Sequence, residues 1–300
     1  MNRAHGTLLI ALLVGLAGCQ KSATVGNPHF VLGEAWQAEG VWHYPFQSFE
    51  LNATGLAAVY LKDHPALTTD GEVYDPAALT AAHQTLQLPA ILRLTNLDTG
   101  LQTLVRINDR GPSNPARVLA VTPRVAALLQ FPPAGVARVR LEVLQAESRD
   151  AADNIQGGDA VRIDVSTAPR AAVQQESLAP PPGTRDGGRG AGPAPSARVV
   201  NEAVPVAATR VVRRLPESVT RVAAYPGTIW LRLGNFSRVE YARMQMARIG
   251  GLGAQIERVR NGRTIDYRVS MGPYSRVPDV DEAFRRVVAA GINDPRIVIE

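Results

Sequence analysis

The apolar positions of this 300-residue chain fall into two blocks with different rhythms. In the first block, short apolar runs at residues 55–60, 91–96, 101–108, 118–121 and 136–144 are separated by turn-forming residues, which predicts strands. Leu97-Asp98-Thr99-Gly100 predicts a hairpin turn between two of them, and Thr122-Pro123 predicts the start of a short helix ending at Leu129. Short strands with one small helix predict a compact barrel of about 90 residues, domain 51–145.

The second block, 226–300, alternates between the two periods. Residues 228–234 predict a strand, and Ser237 followed by Glu240 predicts a capping box opening a helix that carries Ala242, Met246 and Ile249 on one face. Ala254–Val259 and Tyr267–Met271 predict two strands joined at Asn261-Gly262. Val280, Phe284, Val287 and Val288 predict a helix after Pro278, stopped at Gly291, and 297–299 predicts a last strand. This order is the ferredoxin-like βαββαβ arrangement, with both helices on one face of a sheet. If Ile229, Leu231 and Leu233 face the helices, then Trp230 and Arg232 face the open side together with Arg268 and Ser270. An aromatic ring beside hydrogen-bonding groups suits a sugar, whose faces are apolar and whose edges carry hydroxyls.

Between the blocks, residues 146–225 are rich in Pro, Gly, Ala and Arg with little apolar period, and predict a flexible linker, broken only by a candidate strand at 160–165. As a coil it has an end-to-end distance of roughly 50 Å, so the two folded parts are expected to act at separate places on one polymer. At the other end, 1–19 has the basic, apolar and small-residue layout of a secretion signal, with an apolar run too short to span a bilayer. Leu16-Ala17-Gly18-Cys19 resembles the bacterial lipoprotein processing box, which implies acylation of Cys19 and, with Gln20 rather than Asp following it, sorting to the periplasmic face of an outer membrane. Residues 20–50 form a lead-in containing several aromatics.

Composition narrows the chemistry. A formal charge of +5 and a pI near 9.7 permit an acidic polymer as partner, but no basic run is dense enough to predict nucleic acid. With one cysteine, Cys19, no intramolecular disulfide or multi-cysteine metal site can form. The histidines His5, His29, His43 and His64 show no paired metal spacing, so neither metal nor other cofactor is expected.

Polar groups recur where strands meet turns in Asp70-Gly-Glu72-Val-Tyr-Asp75, Thr80-Ala-Ala-His83 and Arg106-Ile-Asn-Asp109-Arg-Gly-Pro112. Together with 55–60 and 95–100, these segments closely resemble the rare lipoprotein A family of lytic transglycosylases, and Leu231–Phe236 with Tyr267–Tyr274 resembles a SPOR domain, a module that binds peptide-stripped peptidoglycan. The resemblance runs through lipobox, barrel, linker and C-terminal domain in the family's order. It implies a six-stranded double-psi β-barrel that cleaves the N-acetylmuramic acid–N-acetylglucosamine bond and leaves a 1,6-anhydro end. The partners implied are peptidoglycan glycan strands, a membrane through the lipid on Cys19, and the division machinery. One carboxylic acid suffices for such a reaction, protonating the glycosidic oxygen and then taking the proton of the sugar's 6-hydroxyl.

The family's acid falls on Asp109. His83 is expected to orient it or share its proton, and Glu72 to hold the sugar or stabilise developing positive charge. Two positions depart from the family: Val59 replaces a tryptophan that could flank a groove, and Ala120 replaces an aspartate. The competing readings are a non-catalytic wall-binding scaffold at division sites and an expansin-like protein that loosens the wall without cutting.

Overall fold

The computed structural model describes residues 24–60, 64–155, 214–250 and 252–300. The signal sequence, Cys19 and the candidate strand at 160–165 lie outside the described residues. The lead-in forms a hairpin of β1 (Trp36–Ala38) and β2 (Val41–His43). Its turn residues Glu39 and Gly40 both have positive φ, as a tight primed turn requires. The lead-in is fastened to the barrel: Val31 bridges Leu88, Asn27 N–H donates to Gly71 O, and Ser48 exchanges two hydrogen bonds with the Gln87 side chain.

The barrel comprises β3 (Asn52–Val59), β4 (Thr80–His83), β5 (Ala90–Asn96), β6 (Leu101–Arg110), β7 (Leu119–Val121), the short helix α1 (Pro123–Leu128) and β8 (Val136–Val143). The strands run in the order β4-β7-β3-β8-β5-β6, and β6 returns to pair with β4, closing six strands into a ring. The β3–β7 and β4–β6 pairs are parallel and the others antiparallel. The inner layer is aliphatic: Ala57, Leu92, Leu94, Val105, Ile107 and Leu141 are fully buried in one cluster. Burial of a Leu, Ile or Val side chain stabilises by about 1.5–3 kcal/mol. Thr122 Oγ1 caps α1 as expected, accepting from Val125 N–H. The barrel strand missed from sequence is β4, whose four residues are all buried; with polar Thr80 and His83 at its ends, it lacks any alternation.

The stretch expected as a linker is docked at both ends. α2 (Gln145–Asp153) packs on β5, where buried Ser148 Oγ accepts from Ile91 N–H and donates to Ile91 O. Residues 214–225 return along the barrel, with β9 (Thr220–Arg221) pairing to the start of β6. Val222 N–H donates to Gly100 O, and a Cβ at Gly100 would lie 2.1 Å from Val222 O, so this approach demands glycine.

The C-terminal domain consists of β10 (Ile229–Phe236), α3 (Val239–Arg248), β11 (Ala254–Asn261), β12 (Thr264–Tyr274), α4 (Val277–Ala289) and β13 (Arg296–Ile299). Its sheet order, β11-β12-β10-β13, is the expected ferredoxin-like one. The capping box does not form: α3 begins one residue later, with Arg238 in extended conformation as N-cap and no side-chain cap bond.

The two folded parts also touch, in contrast to the separate action expected of them. Thr54 Oγ1 on β3 donates to Ile299 O at 2.8 Å and accepts from Ile299 N–H at 2.9 Å. Arg117 makes a bidentate pair with Asp281 on α4, at 2.6 and 2.7 Å. The reason is visible in the barrel's outer surface. Leu56, Leu97 and Ala116 point outward and share a cluster with Ile229, Ile297 and Phe284, and burying them removes apolar surface from water.

Candidate active site

Asp109 lies near the end of β6, where pairing to β4 slips: Ala81 faces Ile107 but Ala82 faces Asp109, leaving Asn108 as the extra residue of a bulge. A bulge of this kind re-aims the side chains that follow it. Asp109 Oδ1 accepts three hydrogen bonds, from Thr69 N–H (2.8 Å), Thr69 Oγ1 (2.6 Å) and Arg110 N–H (2.8 Å). Oδ2 is paired with His64 Nε2 at 2.7 Å.

The tautomer of His64 follows from its other nitrogen. Nδ1 lies 2.7 Å from Pro65 O, which can only accept, so Nδ1 carries a hydrogen. Nε2 is the nitrogen that faces Asp109 Oδ2 within hydrogen-bond distance. Tyr74 stacks on the His64 ring at 4.0 Å and Tyr60 meets it edge-on at 4.7 Å, which fixes its orientation. Burial, then the charge of Asp109, pushes the Tyr60 phenol pKa up, so its buried hydroxyl keeps its proton.

His83 and Glu72 make their hydrogen bonds to groups other than Asp109. His83 pairs in register with Arg110 and makes no hydrogen bond to Asp109; its Nδ1 accepts from Thr85 and Leu86 N–H, both at 3.1 Å, shaping the turn after β4. Burial, reinforced by Arg110, lowers its pKa to about 3, so the ring is neutral with its proton on Nε2. Both Glu72 oxygens are engaged internally, Oε1 by Arg106 Nε at 2.6 Å and Oε2 by Asn108 Nδ2 at 2.8 Å. Glu72 thus braces the bulge that presents Asp109. Ala120 pairs with Ala82, the β4 residue that also pairs with Asp109, and the partners of Asp109 come from Thr69, Arg110 and His64. His64 carried no signal in the sequence, since it stands alone in a loop far along the chain from Asp109.

Asp70 sits behind Glu72 and is fully buried. Its Oδ1 accepts from Thr68 Oγ1 and Glu72 N–H, while Oδ2 has no hydrogen-bond partner among the described residues, the nearest cation being Arg106 Nη2 at 3.9 Å. Burial, then the negative charge of Glu72, pushes its pKa up to about 8. An unfolded aspartate ionises near pH 4, so between about pH 4 and 8 the unfolded chain has released a proton that the folded chain keeps. The contribution of Asp70 to stability is complete below about pH 4 and is lost as pH rises through about 8. Asp70→Asn is expected to remove this loss. Thermal midpoints of the two proteins measured from pH 4 to 9 should show the parent falling relative to the variant, whereas parallel curves would contradict the assignment.

In the C-terminal domain Trp230, Arg232, Arg268 and Ser270 do come together. They line a pocket of about 360 Å³ on the open side of the sheet with Glu257 and Glu300. Glu300 pairs with both arginines, at 3.4 Å in the case of Arg268. The Trp230 ring lies against Gly272, where a Cβ would come within 3.0 Å of it. Among the described residues no group of three or more His, Cys, Asp or Glu side chains is placed to hold a metal ion, and no helix is long and apolar enough to cross a membrane.

A family model described as lytic transglycolase matches residues 52–141, the barrel. The endolytic peptidoglycan transglycosylase RlpA of Pseudomonas aeruginosa (strain ATCC 15692) is 30% identical over 291 residues, covering 91% of this chain and 76% of that protein. The protein of the same name from Vibrio cholerae is 42% identical over 92 residues, 30% of this chain and 35% of its own length. The crystal structure of the RlpA SPOR domain from Pseudomonas aeruginosa aligns at 23% identity over 24% of this chain and 99% of that one, with a TM-score of 0.23. With its barrel matched by the family model and a curated relative aligned along nearly its whole length, the chain belongs to the RlpA family of endolytic peptidoglycan transglycosylases.

Proposed function

We propose that the barrel cuts peptidoglycan glycan strands internally at the β-1,4 bond between N-acetylmuramic acid and N-acetylglucosamine, with Asp109 as the acid and His64 as the residue that positions it. The observation that carries this reading is the asymmetry of the Asp109 carboxyl. Oδ1 is held by three donors, while Oδ2 faces only His64 Nε2, at 2.7 Å. In the acid role, the Asp109 carboxyl gives a proton to the glycosidic oxygen as the bond to C1 breaks. The same carboxylate then accepts the proton of the sugar's 6-hydroxyl, whose oxygen closes on C1. One C–O bond breaks, another forms, and no water is consumed. His83 and Glu72 support the acid through the turn after β4 and the Asn108 bulge.

In this reading Trp230, Arg232, Arg268 and Ser270 hold a glycan strand already stripped of its peptides, and the lipid on Cys19 ties the enzyme to the periplasmic face of the outer membrane near the division machinery. Digestion of purified, peptide-free glycan strands, with products read by mass, tests the chemistry. Anhydro ends, one water lighter than hydrolysed ends, are expected. Hydrolysed ends would contradict the mechanism, and intact strands retained by the protein would make the barrel a binding module.

A further inference from the structure

The lead-in presents a row of aromatic rings that neither the acid site nor the C-terminal sheet uses. Trp42, Tyr44 and Phe46 occupy alternate positions and are 51%, 65% and 55% exposed. Trp42 and Tyr44 lie 6.4 Å apart with ring planes 25° from parallel. Their exposure follows from the other parity: Val41 and His43 turn inward, and His43 packs on the Trp36 ring at 4.6 Å.

The row is anchored beside the candidate active site. Trp36 Nε1 donates to Gln84 O and Phe46 N–H to Thr85 O, the two residues directly after His83. Arg110, next to Asp109, donates to His83 O, Leu86 O and, in the lead-in, Leu32 O. At its far end the hairpin turn approaches the C-terminal domain, where a Cβ on Gly40 would lie 3.6 Å from Val288.

From this placement we infer that Trp42, Tyr44 and Phe46 form an additional binding surface for pyranose rings, which extends the grip on a glycan strand from the cleavage site towards the C-terminal domain. The inference rests on the substrate class proposed above. A single file of flat rings matches a linear polymer of rings whose faces are apolar, and the Tyr44 hydroxyl and the Trp42 indole N–H can meet sugar hydroxyls at their edges. An anionic lipid surface is a poorer fit, because residues 24–50 contain no Lys or Arg.

The test compares the full chain with its Trp42→Ala/Tyr44→Ala/Phe46→Ala variant for binding to long peptide-free glycan strands, measured as retention in a pull-down. Thermal melting confirms that both are folded, and a parallel flotation assay uses vesicles of phosphatidylglycerol and phosphatidylethanolamine. A loss of at least about tenfold in glycan affinity, roughly the worth of one to two stacked rings, is expected, with vesicle binding unchanged. Trp42→Phe in the otherwise parental chain, which keeps a ring at that position, is expected to retain most of the affinity. Equal glycan retention by parent and triple variant would overturn the inference, as would a loss confined to vesicles. Retention does not require cleavage, so a parent that binds without cutting would sink the proposed reaction and leave the aromatic surface standing.

Discussion

Replacing Asp109 by Asn is expected to lower the rate of anhydro-end formation by about 10²–10⁴-fold, the range associated with losing a positioned acid–base group. The substitution is close to isosteric. The amide oxygen can still accept from Thr69 and Arg110 N–H, and the amide nitrogen can donate to His64 Nε2, which becomes the unprotonated nitrogen because Nδ1 stays bonded to Pro65 O. Thermal stability and glycan retention should therefore stay near those of the parent. Only the proton that moves is missing. Product yield by mass against time, with retention measured on the same preparations, checks the expectation. A variant that keeps more than about a tenth of the parental rate would remove Asp109 from the chemistry.

The second large effect is expected for Arg106→Met, in folding rather than chemistry. Arg106 is buried with Glu72 at 2.6 Å and Asp70 at 3.9 Å. Its loss leaves Glu72 buried without its cation, a situation that costs about 3–5 kcal/mol. For a domain of this size that lowers the thermal midpoint by more than about 10 °C. The loop 68–72 would loosen with it, and Thr69 is on that loop, so activity should fall as well. A supporting role predicts that residual activity follows the folded fraction as temperature is lowered. Activity lost in fully folded protein would instead place Arg106 or Glu72 against the substrate.

The fold was legible where apolar period and turn chemistry agreed. In the C-terminal domain strand parity placed Ile229, Leu231 and Leu233 inside and brought Trp230 and Arg232 to the open face. β4 was not legible, because a strand enclosed on both faces has no alternation to read. The linker was overextended at both ends: α2 is polar and residues 214–225 carry Pro216 and little apolar period, and both are ordered by a few backbone and hydroxyl bonds, such as those of Ser148 to Ile91 and Val222 to Gly100, which composition does not reveal. At the site, the motif points to Asp109 as the proposed acid, but nothing in the sequence points to the His64 that meets it. His64 reaches Asp109 only because the barrel closes β4 onto β6 and the loop before Thr68 folds over that seam. The same closure gives His83 a register that turns it to the backbone of its own turn.

The docking of the lead-in sets a working distance. Asn27 N–H is bonded to Gly71 O, beside the loop that supplies Thr69, and Asn27 is eight residues from Cys19. Fully extended, that leash measures at most about 28 Å. If Cys19 is acylated, as proposed above, the barrel would patrol only the layer of wall nearest its membrane, and strands deeper in the wall would have to be brought to it or left uncut.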